Sequence, residues 1–163
     1  MALPPLSLKG RALRLLSARE YSRTELERKL CAHEQAPGQL AMALDELQAK
    51  GFLNEQRVVE SVVYRRAAGL GAARIRHELQ QKGLAAGVVQ DAVARLQASE
   101  LQRARNVWQK KFGAATATGE SAPALNTTER ARQMRFLASR GFGADAIRRV
   151  VGGWSGDDAM RAD

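Results

Sequence analysis

One cysteine, two histidines, four prolines and eight aromatic residues are all that 163 residues contain of these types. Each scarcity excludes something. The lone Cys31 rules out an internal disulfide framework and fits a reducing compartment. Beside Leu30 on the inner side of a predicted helix, it reads as a small core thiol, since no His or Lys is spaced to activate it. His33 and His77 lack the spacing to Cys, Asp or Glu that a metal site needs. With aromatics confined to Tyr21, Phe52, Tyr64, Trp108, Phe112, Phe136, Phe142 and Trp154, packing must rely on Leu, Val and Ala, the material of helix-on-helix contacts. No segment alternates β-branched and polar residues between turn signals, so no strand is predicted. No apolar run approaches the ~20 residues of a membrane span. Met1-Ala2-Leu3-Pro4-Pro5 lacks the charged and apolar regions of a secretory signal, so the expected location is the cytoplasm.

Catalytic signals are equally sparse. Gly69-Leu70-Gly71 is an isolated pair of glycines with no preceding strand and no third Gly, so it cannot form a dinucleotide loop. No Walker-type phosphate loop is present, and Asp157-Asp158 falls in an acidic, Gly-rich terminal stretch. The reading is a protein with no active site, no cofactor and no metal.

What the chain does have is a motif used three times. Leu26, Leu30, Leu40 and Leu44 are separated by four, ten and four residues, and so are Ile75, Leu79, Val89 and Val93. Gln133, Leu137, Ile147 and Val151 repeat the spacing with only the first position polar. Lys82-Gly83-Leu84 and Arg140-Gly141-Phe142 add a shared basic–Gly–apolar stop. Such a repeat indicates a scaffold that presents a surface rather than an enclosed pocket.

Local signals divide the chain into nine predicted helices. The first runs from about Lys9 to Ala18 with Leu13 and Leu16 on one face. Ser22-Arg23-Thr24-Glu25 is a capping box opening the second. Pro37-Gly38 precedes Gln39–Lys50, which stops at Gly51 with Phe52 folding back as the apolar contact. Asn54-Glu55 caps a helix through Val58, Val59, Val62 and Val63. Ala72–Lys82 follows, stops at Gly83 and leads into a helix carrying Val88, Val89, Val93 and Leu96. The last group starts near Ser99-Glu100 with Leu101, Val107 and Trp108. It continues through a flexible loop, 113–127, to Glu129–Arg140, capped by Asn126, Thr127 or Thr128, and ends with Ala144–Val151. The fold class is therefore all-α: three tandem three-helix repeats over 9–53, 54–98 and 99–151, forming an elongated, curved molecule, with a disordered tail over 152–163.

Net charge is +9 and uneven. Between 103 and 149 ten basic residues face three acidic ones, a surplus suited to nucleic acid or acidic protein. The candidate contact residues are Arg65, Arg66, Arg74, Lys82, Lys110, Lys111, Arg132, Arg135, Arg140 and Arg148, clustered around equivalent turns. Arg74, Glu78 and Lys82 are spaced as an i,i+4 ladder along one helix. With so few aromatics nearby, phosphates or acidic protein suit these charges better than stacked bases do.

Three stretches carry a family resemblance. They are Ala12-Leu13-Arg14-Leu15-Leu16-Ser17-Ala18-Arg19-Glu20-Tyr21-Ser22-Arg23-Thr24-Glu25-Leu26, then Gly71-Ala72-Ala73-Arg74-Ile75-Arg76-His77-Glu78-Leu79-Gln80-Gln81-Lys82-Gly83, and Arg135-Phe136-Leu137-Ala138-Ser139-Arg140-Gly141-Phe142. Together they resemble the RecX family of recombination regulators. Asn54-Glu55-Gln56-Arg57-Val58 departs from that family's usual acidic pair and aromatic after the Arg. The resemblance implies a partner of the RecA recombinase filament on single-stranded DNA, lodged in the filament groove; with no obvious dimerisation segment, the chain is expected to be a monomer. It implies inhibition of ATP hydrolysis and strand exchange by blocking growth or promoting disassembly. Single- or double-stranded DNA is the further partner expected. A rival reading is a sequence-specific regulator of the helix-turn-helix kind, with Ser22–Leu30 or Arg130–Arg140 as recognition helix. It would bind selected duplexes without RecA. An enzyme is the third class, and it would need polar side chains converging from separate repeats.

Overall fold

A computed structural model describes residues 6–113 and 127–152. Of the loop expected over 113–127, residues 114–126 lie outside the described residues, as do residues 153–163 of the tail expected over 152–163; Thr127 already opens a helix. Among the described residues there are nine α-helices and no strand. They are α1 (Leu8–Ala18), α2 (Arg23–Leu30), α3 (Gln39–Ala49), α4 (Glu55–Arg66), α5 (Ala72–Gln81), α6 (Ala86–Ala98), α7 (Glu100–Phe112), α8 (Thr127–Ser139) and α9 (Ala144–Val151).

The chain falls into two compact units, one reaching to Tyr64 and including Glu78–Gln90, the other formed by Arg65–His77 and the residues from Asp91 onward. In the first, α1, α2 and α3 pack on one another around Ala12, Tyr21, Leu26, Leu30, Leu40, Leu44, Leu47 and Leu53. In the second, α7, α8 and α9 do the same around Ala104, Leu137, Phe142, Ala146, Ile147 and Val151. All twelve positions of the 4–10–4 motif are buried, none more than 5% exposed. A four-residue step returns a side chain to the same helix face, and the ten-residue gap spans a turn and re-enters on the facing helix. Each of these aliphatic side chains contributes roughly 1.5–3 kcal/mol by leaving water.

The one polar member, Gln133, is 3% exposed. Its Oε1 accepts the Trp108 indole N–H at 2.8 Å. A buried amide oxygen left without a donor would be costly, and the tryptophan from α7 removes that cost.

Several ends follow the sequence reading. Ser22 accepts the Glu25 N–H while the Glu25 carboxylate takes the Ser22 N–H at 2.9 Å, and Asn54 Oδ1 caps α4 through the Arg57 N–H. After α3 the Phe52 N–H reaches the Leu47 carbonyl and the Gly51 N–H that of Gln48, with Gly51 at φ 75°. That double bond needs a left-handed residue, which glycine supplies without strain.

Other details depart from expectation. Phe52 remains 48% exposed and the apolar contact at this turn comes from Leu53, 6% exposed. The Arg57 guanidinium bonds the Gly51 and Phe52 carbonyls and Glu20, fixing the backbone of this turn. Cys31 is exposed, not a core thiol. Cys31 keeps helical angles, φ −53° and ψ −37°, with its N–H on the Glu27 carbonyl, so one step past Leu30 turns it about 100° off the Leu26–Leu30 face; a single 3-10 turn, Cys31–His33, follows. In α1 the fully buried residue is Ala12, with Leu13 and Leu16 only partly covered, and Ser7 supplies a cap through the Gly10 N–H. Of the three cap candidates for α8, Thr127 and Thr128 lie within its first turn, and Asn126 lies outside the described residues.

Candidate anion-binding cleft

Two backbone joints decide where the basic side chains end up. In the first unit, the Ser22 hydroxyl donates to the Lys82 carbonyl at 2.6 Å, so the start of α2 closes the turn that follows α5. The Lys82 ammonium sits 2.8 Å from Glu25, with 11% and 17% of the two side chains exposed. Arg19 approaches the same carboxylate at 3.1 Å. Burial alone would push the Glu25 carboxyl up, but the hydrogen bonds from Lys82, the Ser22 backbone and Arg19 outweigh it and hold it at about 2. The ladder expected along α5 therefore loses its last member: the Lys82 ammonium is on Glu25 of α2. A side chain at Gly83 (φ 70°) would run into Thr24, whose Oγ1 lies 2.3 Å from the position of its Cβ.

The second unit repeats the arrangement with different chemistry. The Gly71 N–H donates to the Arg140 carbonyl at 2.8 Å, and the Ala73 N–H to that of Gly141 at 3.2 Å. Between them the Ala72 N–H donates to the Glu100 carboxylate at 2.9 Å. The opening N–H groups of α5, which have no partner in their own helix, are thereby met by the carbonyls closing α8. A Cβ on Gly71 would lie 2.1 Å from the Gly141 oxygen, and one on Gly141 would lie 2.7 Å from the Arg74 Cβ. Arg74 is exposed at this joint.

Beside that joint lies a cleft of about 540 Å³, lined by Ala68, Gly69, Arg103, Asn106, Val107, Lys110, Lys111, Phe136 and Arg140. Four of these are basic, and no carboxylate is among them. Arg103 is anchored: its guanidinium bonds the carbonyls of Ala67, Leu70 and Leu96. Burial pushes it below its ordinary value, Glu100 opposing, yet a guanidinium stays charged under such a shift. Arg140 lies over the Phe136 ring at 4.6 Å and reaches the Gly69 carbonyl at 3.4 Å. Phe136 is braced edge-on by Phe112 at 5.2 Å. Lys110 and Lys111, in the last turn of α7, are exposed and have no ion-pair partner among the described residues. Asn106 Oδ1 accepts from Gln102, leaving its amide N–H groups for a ligand.

The structure thus gathers Lys110, Lys111 and Arg140 from the ten candidate residues into one concavity. It adds Arg103, Asn106 and Phe136, which sequence reasoning did not select. Arg132 and Arg148 form long surface pairs with Glu129 (3.6 Å) and Asp145 (3.7 Å), each arginine 67% exposed. Such pairs restrain a side chain weakly. Arg65, Arg66 and Arg135 are exposed, and Lys82 belongs to the first unit.

The chain matches two family models, described as the second three-helix domain of RecX over residues 54–93 and the third three-helix domain over residues 98–151. The regulatory protein RecX of Leptothrix cholodnii is 51% identical over 148 residues, covering 91% of this chain and 89% of that protein. That of Ralstonia nicotianae is 43% identical over 165 residues, covering 100% and 97%. The chain belongs to the RecX family.

RecX structures share its fold. That from Lactobacillus salivarius superposes with a TM-score of 0.70 at 19% identity, covering 89% of this chain and 92% of its own. Another RecX regulatory protein gives 0.72 at 17% identity, covering 90% and 72%. Within the segment matching the third RecX domain lie Arg103, Lys110, Lys111, Phe136 and Arg140, so the cationic side chains of the cleft all come from that match. Only Ala68 and Gly69, on its rim, come from the second.

Proposed function

We propose that the protein is a negative regulator of a RecA-type recombinase. It acts in the cytoplasm on the RecA filament on single-stranded DNA, without catalysis of its own. Binding in the filament groove inhibits ATP hydrolysis and strand exchange, by blocking filament growth or promoting disassembly. The observation that carries this reading is the family relationship over nearly the whole chain, with relatives that bear the name regulatory protein RecX. The cationic cleft supports it, because a filament on DNA offers acidic protein and phosphate together. We assign contacts to Lys110, Lys111 and Arg140 first, and to Arg65, Arg66, Arg74, Arg132, Arg135 and Arg148 as the wider basic surface. The three tandem repeats, 9–53, 54–98 and 99–151, are the proposed organisation. Lys82 is kept for the joint with Glu25.

The helix-turn-helix reading is weaker for α2, whose opening residue Ser22 is 3% exposed and spends its hydroxyl on the Lys82 carbonyl.

The test is RecA-catalysed ATP hydrolysis on single-stranded DNA, with the protein added up to stoichiometry. Inhibition that weakens about tenfold in Lys110→Glu/Lys111→Glu is expected, since each reversal turns attraction into repulsion. An unchanged hydrolysis rate at every protein concentration would overturn the reading and return the helix-turn-helix alternative, which selective binding to duplex sequences would then test.

A further inference from the structure

We propose that the cleft between α7 and α8 is a phosphate-ester site of single-nucleotide size, seating one phosphodiester of a single strand against Lys110, Lys111 and Arg140. This deepens the proposed function and uses the same cleft, but it assigns the cleft's ligand by chemistry rather than by partner protein.

Charge is the first argument. Three cations face one concavity, and among the described residues none of the three has a carboxylate partner, so an incoming anion displaces no ion pair. The lysines supply mobile point charges and Arg140 a planar donor set suited to phosphate oxygens. Preorganisation is the second. Arg103 is tied to three carbonyls and Arg140 rests on Phe136, so part of the ordering cost of binding is met before the ligand arrives. Size and lining are the third. A volume of about 540 Å³ lies within the roughly 300–1,000 Å³ range of small-ligand clefts. Ala68, Val107 and Phe136 give it an apolar wall that a sugar or base can cover.

The same details separate nucleic acid from acidic peptide. An extended peptide requires backbone donors and acceptors from its host. Here the Ala67, Gly69 and Leu70 carbonyls are already taken by Arg103 and Arg140, and the described residues include no strand edge. A nucleotide needs charge and a wall, which are what the cleft offers. A duplex presents phosphates on a convex surface with its bases stacked inside, so it leaves the apolar wall uncovered. A single strand can turn a sugar and base inward.

The test is fluorescence anisotropy with a labelled oligothymidylate and the full chain, without recombinase, across a salt series. Comparisons are an abasic strand of equal length, a duplex, and ATP as competitor. Lys110→Gln/Lys111→Gln is expected to weaken strand binding about tenfold and to flatten the slope of log affinity against log salt by about one. Arg14→Gln/Arg28→Gln, two exposed arginines of the first unit, is the control for charge alone and should change affinity less than twofold. Circular dichroism checks that both pairs fold. The abasic strand should bind more weakly than the oligothymidylate. Displacement by ATP assigns the site to free phosphate esters as well, and failure to displace assigns it to the strand. Equal losses in the two variant pairs, tighter binding of duplex than of single strand, or no strand binding at low salt would each overturn the proposal. The two readings fail separately. Missing strand binding ends this one whatever the recombinase does, and an unaffected RecA ATPase ends the regulatory one whatever the cleft binds.

Discussion

Replacing Glu25 by Gln tests whether an ion pair or mere shape holds the turn after α5 in place. The carboxylate accepts from the Ser22 N–H at 2.9 Å, from Arg19 at 3.1 Å and from Lys82 at 2.8 Å. Gln keeps the volume and one acceptor but removes the charge and leaves Lys82, 11% exposed, without its counterion. A carboxyl held at about 2 instead of its ordinary 4.5 corresponds, at ~1.4 kcal/mol per pH unit, to about 3 kcal/mol of stabilisation at neutral pH. Glu25 keeps 17% of its side chain in water, so part of that is screened and about 2–3 kcal/mol is the expected loss.

The pH dependence gives the sharper reading. Because the folded-state value is depressed, the stabilisation is complete above the unfolded value near 4.5. It is lost as pH falls through about 2, below which Glu25 is protonated in both states. Urea unfolding of the full chain and of Glu25→Gln, from pH 7 down to pH 2.5, should show a gap that narrows steadily below about pH 4.5. Other carboxylates titrate in both proteins and cancel in the difference. Lys82→Met, which keeps the apolar stem and drops the ammonium, should lose a similar amount at neutral pH. A gap that stays constant across this range, or one below about 1 kcal/mol at pH 7, would refute the argument.

Two further expectations follow from the second unit. Gly71→Ala puts a methyl 2.1 Å from the Gly141 oxygen and should cost about 3 kcal/mol or more, because backbone on both sides must move. Gly69→Ala, with nothing within 4 Å, should change urea stability by less than about 1 kcal/mol. Gln133→Leu restores the apolar residue found at Leu26 and Ile75 but strands the Trp108 N–H, and Trp108→Phe strands the Gln133 oxygen. Each single change should cost about 1–3 kcal/mol, while the double variant recovers part of it in a double-mutant cycle.

Local features were legible because their causes are local. A four-residue step encodes a helix face, so all twelve motif positions could be placed in cores from spacing alone. Ser22, Glu25 and Asn54 announce caps within three residues of the N–H groups they satisfy. The misreadings have equally definite causes. Cys31 points out because one step past Leu30 turns it about 100° off the Leu26–Leu30 face, and after Gly51 it is Leu53, not Phe52, that makes the apolar contact. Lys82 looks like surface charge in the sequence because its partner, Glu25, is 57 residues away. Arg103 passed as one basic residue among many, since nothing near it in sequence marks three carbonyls from other segments as its ligands.

The two joints give the stops at Lys82-Gly83-Leu84 and Arg140-Gly141-Phe142 a common cause. At both, a carbonyl on the basic residue is taken by the start of an earlier helix: Lys82 by the Ser22 hydroxyl, Arg140 by the Gly71 N–H. The glycine is required twice over, for its left-handed φ and for the close approach of Thr24 at Gly83 or Arg74 at Gly141. The basic side chain, by contrast, is not constrained by that geometry, and the two units use it differently. At Lys82 a carboxylate from α2 captures the ammonium and makes it structural. At Arg140 the corresponding carboxylate is missing: Arg74 stands where the 49-residue offset of the motif would align it with Glu25, and Glu100 instead serves the Ala72 N–H. Arg140 is left to lie on Phe136 and face the cleft. One substitution in the repeat, acidic in the first copy and basic in the second, therefore separates a joint that consumes its charge from one that presents it.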